Sequence, residues 1–167
     1  MLPGHIITHA PQAPYFKEDH YRNGAYIKIH QEVGDLIDFY NVQFYNQGAT
    51  KYDSYTKLFK ASKGYFPGTS VQELIKKGIP KEKIVVGKPA TRADVMNSGY
   101  VTSTSLGQWT SRAYDDFCWY TGVMFWQYKN DDRGLLIKNA VGDLIYKYNN
   151  PDNTCGTNKE EEYSSLI

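Results

Sequence analysis

"IDFYNVQFYN", residues Ile37 to Asn46, opens as an apolar strand and closes on residues too polar for one. Ile, Phe, Tyr and Val suit a pleated backbone, so the stretch predicts a strand. Two amides and a phenol then crowd into Gln43, Phe44, Tyr45 and Asn46. Side chains alternate along a strand, which puts Gln43 and Tyr45 on one side and Phe44 on the other. Polar tips on a buried strand are what a parallel strand shows where it emerges at its carboxyl end, the end at which parallel α/β folds bind ligands.

Three further stretches repeat the pattern. "HIITHAP" (His5 to Pro11) predicts a short first strand that runs into Pro11 and Pro14. "KIVVGKPA" (Lys83 to Ala90) predicts the third strand and "GVMFWQY" (Gly122 to Tyr128) the fourth. Helical segments lie between them. "GAYIKIHQEVG" has apolar residues at helical spacing and closes on Gly34, and "KYDSYTKLFKAS" sets Tyr55, Leu58 and Phe59 on one side of a short helix. In "TSVQELIKKGIP", Ser70 and Glu73 form a capping box and Gly78 with Pro80 marks the stop. "LGQWTSRAYDDFCWY" (Leu106 to Tyr120) and "RGLLIKNAVGDLIYKY" complete the set. Strands separated by helices pair in parallel, and their continuous apolar runs fit strands covered on both faces. The fold class is therefore α/β, built of (β/α) units. Four units make either a small open sheet or half of an eight-stranded barrel. Residues 1–148 form this domain, and 149–167 read as a polar tail.

Composition narrows the function. The 167 residues suffice for one domain. Nineteen basic residues against eighteen acidic leave no field directed at nucleic acid or an anionic membrane. No apolar run approaches the roughly 18 residues of a membrane span. "APQAPYF" stands where a Gly-rich phosphate loop would follow the first strand, which weakens a nucleotide-binding reading. No signal peptide is visible in "MLPGHIITHAPQ". Cys118 and Cys155 make no disulfide framework: the first reads as a small buried residue, the second as part of the tail. The four histidines form no metal site, and no cofactor is called for; His9 falls near the strand ends, and His30 on a helix surface or at the sheet interface.

The polar residues collect where strands end: Gln12 after the first, Gln43, Tyr45 and Asn46 on the second, Trp126 and Gln127 on the fourth. In a barrel, Gln43, Tyr45 and Trp126 would share the lumen. A flat indole with amide and phenol tips suits a sugar, which offers one apolar face and several hydroxyls. The plainer alternative makes Trp126 ordinary core and bonds Tyr45 to backbone.

"ITHAPQAPYF", "IDFYNVQFYN", "VVGKPA" and "GVMFWQY", in this order, resemble strands five to eight of chitinase-type enzymes of glycoside hydrolase family 18. The resemblance covers roughly residues 6–147. It implies the second half of a TIM (β/α)8 barrel acting on β-linked N-acetylglucosamine polymers, with the substrate's own acetamido oxygen as nucleophile. Tyr45 matches the tyrosine that steadies the acetamido group, Gln43 a polar neighbour in that subsite, and Trp126 the indole beneath the sugar. Gln12 matches a polar position at the end of strand five, and Asn46 completes the substrate-binding set. Chitin or a chito-oligosaccharide is the implied partner, and secretion is expected of the family.

The family's D-x-x-D-x-D-x-E motif, which carries the general acid, occurs nowhere in the chain. "DLIDFYNV" has Tyr40 and Val42 at the later acidic positions, "AYDDFCW" reads as a solvated helix face, and "KEEEY" as a solvated charge run. A general acid supplies about 10²–10⁴-fold in rate, so the chain alone is expected to be inactive. Half a barrel also leaves two open strand edges, to be covered by a missing N-terminal half or by self-association. The alternative to a chitinase is a chitinase-like lectin that binds without cleaving.

Overall fold

Phe39–Gln43 forms β2, with Tyr40 and Val42 wholly buried and Phe39, Asn41 and Gln43 partly open. This alternation fixes the register of the sheet, because a one-residue slip would exchange core and lumen. A computed structural model describes residues 4–21, 24–150 and 152–156. Its strands are β1 (Thr8–His9), β2, β3 (Ile84–Pro89) and β4 (Val123–Trp126), parallel throughout and adjacent in chain order. The helices are α1 (Ala25–Val33), α2 (Val71–Lys76), α3 (Ser103–Phe117) and α4 (Leu135–Asn149), with a π-helical turn at Thr56–Lys60. The fold is the expected parallel α/β half-barrel.

The core lies between the sheet and the helices. Tyr40, Val42, Phe44, Ile84 and Val86 face the helical layer and are fully buried. Burying such a side chain contributes roughly 1.5–3 kcal/mol. Trp119 fills the space behind β3, where its ring meets Phe59 and its indole N–H donates to the Ile84 carbonyl at 2.9 Å. Glu73 reaches back to the Ser70 N–H at 2.9 Å, making the capping box of α2. Helices α3 and α4 cross at Gly107, where a Cβ would fall 2.1 Å from the Asn139 carbonyl oxygen. Thr110 Oγ1 then donates to the Ala140 carbonyl at 2.7 Å.

Several expectations are corrected. The first strand is shorter than His5–Pro11, because Pro11 lacks an N–H and pairing continues through its carbonyl to Gln43 N–H at 2.8 Å. Helix α3 starts at Ser103, with Thr102 Oγ1 accepting from Ser105 N–H at 3.1 Å. It stops at Phe117 because Cys118 turns left-handed, with φ 58°. Cys118 and Cys155 are joined in a disulfide, with Cα atoms 5.2 Å apart. Tyr114 also donates to the Asn153 carbonyl, so residues 152–156 of the segment expected as a tail are fastened to α3. "KEEEY" lies outside the described residues. Asp116 is not on a solvated face: its side chain is 14% exposed and accepts from Tyr55 Oη at 2.7 Å and Lys60 Nζ at 3.0 Å.

Candidate functional site

Gln43, Tyr45, Asn46, Asp94, Met96 and Trp126 line one hollow of about 280 Å³ at the carboxyl ends of β2, β3 and β4. The parity of β2 delivers Gln43 and Tyr45 to the lumen side and sends Phe44 back against Tyr52, with ring centroids 5.2 Å apart. β4 pairs with β3 so that Met124 lies level with Gly87 and Trp126 level with Pro89. A Cβ on Gly87 would sit 2.8 Å from Met124 Cε. Glycine at this position thus lets Met124 lie across the floor between β2 and β4.

Tyr45 is 5% exposed, and its hydroxyl has no hydrogen-bond partner among the described residues. Burial pushes the phenol above its ordinary range, so it is a neutral donor at physiological pH. Trp126 is 54% exposed and is therefore not core. The Trp126–Gln127 peptide bond is cis. Gln43 Nε2 donates to the Ala10 carbonyl at 2.7 Å, which holds the amide against β1. Asn46, three residues beyond β2, takes φ 59°, a conformation its short amide tolerates. Its Oδ1 accepts from Met96 N–H at 2.8 Å, so its carbonyl oxygen anchors the 94–98 loop. Gln12 bridges to Gln43 in the β1–β2 register, and the six residues that line the hollow do not include it.

Asp94 is a wall residue that reading the sequence did not single out. It closes a short turn after β3 (Arg92–Asp94), and Oδ2 accepts from Thr91 Oγ1 at 2.7 Å. Oδ1 accepts from Asn130 Nδ2 at 2.6 Å and Gln127 Nε2 at 3.4 Å. The Thr91 hydrogen bond, then those of Asn130 and Gln127, hold the carboxyl below its usual range, leaving an anion at the rim. A "T-x-x-D" capping box was the available signal.

His9 turns away from the hollow. It pairs in register with Tyr40, on the helix side, and packs edge-on against Tyr26 and Tyr40. His30 Nδ1 lies 2.9 Å from Tyr40 Oη, at the sheet interface. No group of three His, Cys, Asp or Glu able to hold a metal occurs among the described residues.

Four parallel strands with helices on one face and polar tips at one lumen mouth define half of a (β/α) barrel. No family sequence model matches the chain, and no curated protein does. Solved structures do. A family 18 glycoside hydrolase chitinase from Pseudoalteromonas aurantia matches with a TM-score of 0.65 and 28% identity, over 85% of this chain and 47% of its own. A fungal endo-β-N-acetylglucosaminidase from glycosyl hydrolase family 18 matches with a TM-score of 0.57 and 23% identity, over 86% and 45%. The xylanase and α-amylase inhibitor protein from Scadoxus multiflorus matches with a TM-score of 0.50 and 19% identity, over 82% and 44%. The chain thus spans about half the length of these neighbours. It has the fold of half a chitinase-type barrel of glycoside hydrolase family 18.

Proposed function

We propose that this chain carries the sugar-holding half of a chitinase-like site for β-1,4-linked N-acetylglucosamine. The supporting observation is the joint placement of Gln43, Tyr45 and Trp126 around one hollow. In this reading the exposed indole covers a pyranose face, and the Tyr45 hydroxyl donates to the acetamido oxygen as that oxygen attacks the anomeric carbon. Gln43 Oε1 offers an acceptor to a ring hydroxyl, while Asp94, whose oxygens already accept from Thr91, Asn130 and Gln127, holds the wall of the hollow. Asn46 contributes by holding the 94–98 loop in place, with its Oδ1 spent on Met96. Gln12 remains a candidate for an extended ligand that reaches across β1.

Cleavage in this scheme needs a proton donor, and D-x-x-D-x-D-x-E is not among the 167 residues. The donor would come from a companion half. A trough of about 660 Å³ spans from β2 and β3 across the edge strand β4 to α4, lined by Phe39, Val85, Met124, Ile137, Leu144 and Ile145. Such an apolar trough beside an unpaired strand edge suits a further strand–helix unit. A second copy of this chain is the other occupant to test.

The second reading is a chito-oligosaccharide-binding protein without catalysis; the occurrence of the fold in an inhibitor protein favours keeping it. The deciding experiment assays a fluorogenic chito-oligosaccharide with the chain alone and with a companion half barrel bearing the acid motif. Turnover only in the mixture supports the enzyme. Binding without turnover in both supports the lectin. Enzymatic turnover by the chain alone refutes the need for a companion, and absence of both binding and turnover refutes both readings.

A further inference from the structure

β3 holds a lysine where its neighbours are apolar. Ile84 and Val86 face the helices, and Lys88, next on that side, is fully buried. Its Nζ donates to the carbonyls of Tyr52 at 2.7 Å, Phe44 at 2.9 Å and Gly99 at 3.1 Å. An ammonium has three donors and no acceptor, so three carbonyls satisfy it completely. A buried cation left without such partners would cost several kcal/mol.

The three carbonyls belong to the segments that set the position of Tyr45. The Phe44 carbonyl is part of the peptide that carries Tyr45. Gly99, at φ +98°, presses on Tyr45 from the following loop: a Cβ there would fall 2.6 Å from Tyr45 Cα. The same loop accepts Asn46 N–H at the Ser98 carbonyl, 2.8 Å away. Tyr52 ends the excursion that leaves β2 and returns beneath Phe44.

We propose that Lys88 is a positioning residue for Tyr45, its ammonium clamping strand tip, excursion and loop into one frame around the phenol. The consequence for sugar rests on the function proposed above; the clamp itself does not. Methionine in its place would fill the volume and leave three buried carbonyls without their donor. Arginine would not substitute, because a planar fork cannot aim three N–H groups from one nitrogen at a trigonal set. Burial pushes the ammonium down to about 7, against the opposing pull of Asp53. The clamp is therefore examined below that value.

The test is NMR on lysine- and tyrosine-labelled chain at about pH 6. Wild type should show an exchange-protected ammonium cross-peak that disappears in Lys88→Met. The Tyr45 ring signals, assigned with Tyr45→Phe, should move in Lys88→Met while those of Tyr40 stay. A folded Lys88→Met with Tyr45 unmoved overturns the proposal. Should that variant not fold, wild type decides, because absence of a protected ammonium also overturns it. Affinity for N,N′-diacetylchitobiose should fall roughly tenfold in Lys88→Met. A wild type that shows the ring and ammonium effects but binds no sugar supports the clamp and refutes the function.

Discussion

Tyr45 and Trp126 line one hollow although a whole strand, β3, separates their own. Pro89 lies level with Trp126, and one pleat below it Gly87, level with Gln43 on one side and Met124 on the other, puts no side chain between those two. Strand order and parity thus bring a phenol tip and an indole face to the same mouth.

The indole gives the first prediction. Trp126 is over half exposed, at 54%, so Trp126→Ala should leave the unfolding midpoint nearly unchanged, within about 0.5 kcal/mol. Chito-oligosaccharide affinity should fall roughly tenfold, about 1.4 kcal/mol. Calorimetric titration beside a thermal melt separates the two; an unchanged affinity contradicts the assignment.

Gly107 gives a stability prediction with no functional content. A Cβ 2.1 Å from the Asn139 carbonyl oxygen has no flexible neighbour to displace. Gly107→Ala should force α3 and α4 apart and cost about 2–4 kcal/mol, despite alanine's better helix propensity. Urea denaturation measures it. Gly142→Ala, with nothing near its added methyl, is the control and should be neutral or stabilising.

These two glycines show what a sequence conceals. Both sit inside helices and look alike in one dimension; only tertiary approach tells them apart. The strands were legible because Val, Ile, Phe and Tyr concentrate in them, most plainly in β3, which is buried along its whole length, whereas β2 alternates. Parity along β2 was enough to sort Gln43 and Tyr45 from Phe44. The role of Asn46 was not legible, because Met96 lies fifty residues away. Lys88 had a signal, a cation in an otherwise apolar strand, but its three partners come from three separate segments. Asp94 was hidden in a turn whose capping function looks purely local. The Cys118–Cys155 pairing spans 37 residues and needs the return of the chain after α4 to be seen.

That disulfide gives the third prediction. Closing a loop of 37 residues should contribute about 3–4 kcal/mol through the unfolded chain. Cys118→Ser with Cys155→Ser, or reduction, should lower the urea midpoint accordingly. A double variant as stable as wild type would contradict this.

His30 makes stability depend on pH. Burial, with the nearby Lys83 charge, holds its imidazole below the ordinary 6.5, against the smaller opposing effect of Asp35. The unfolded chain therefore takes up this proton at higher pH than the folded one. The stability linked to His30 is complete above about 6.5 and is lost as pH falls toward the depressed folded value. Between about pH 8 and about pH 5, wild type should lose more stability than His30→Gln. Parallel loss in the two proteins contradicts this.

The most direct measurement is a titration of the labelled chain with N,N′-diacetylchitobiose, following every tyrosine ring and tryptophan indole by NMR. Tyr45 and Trp126 should shift together along one binding curve, with Tyr40 and Trp119 still. Shifts confined to other residues, or no response from Tyr45 and Trp126 at saturating sugar, would contradict the assignment of the hollow as a saccharide site.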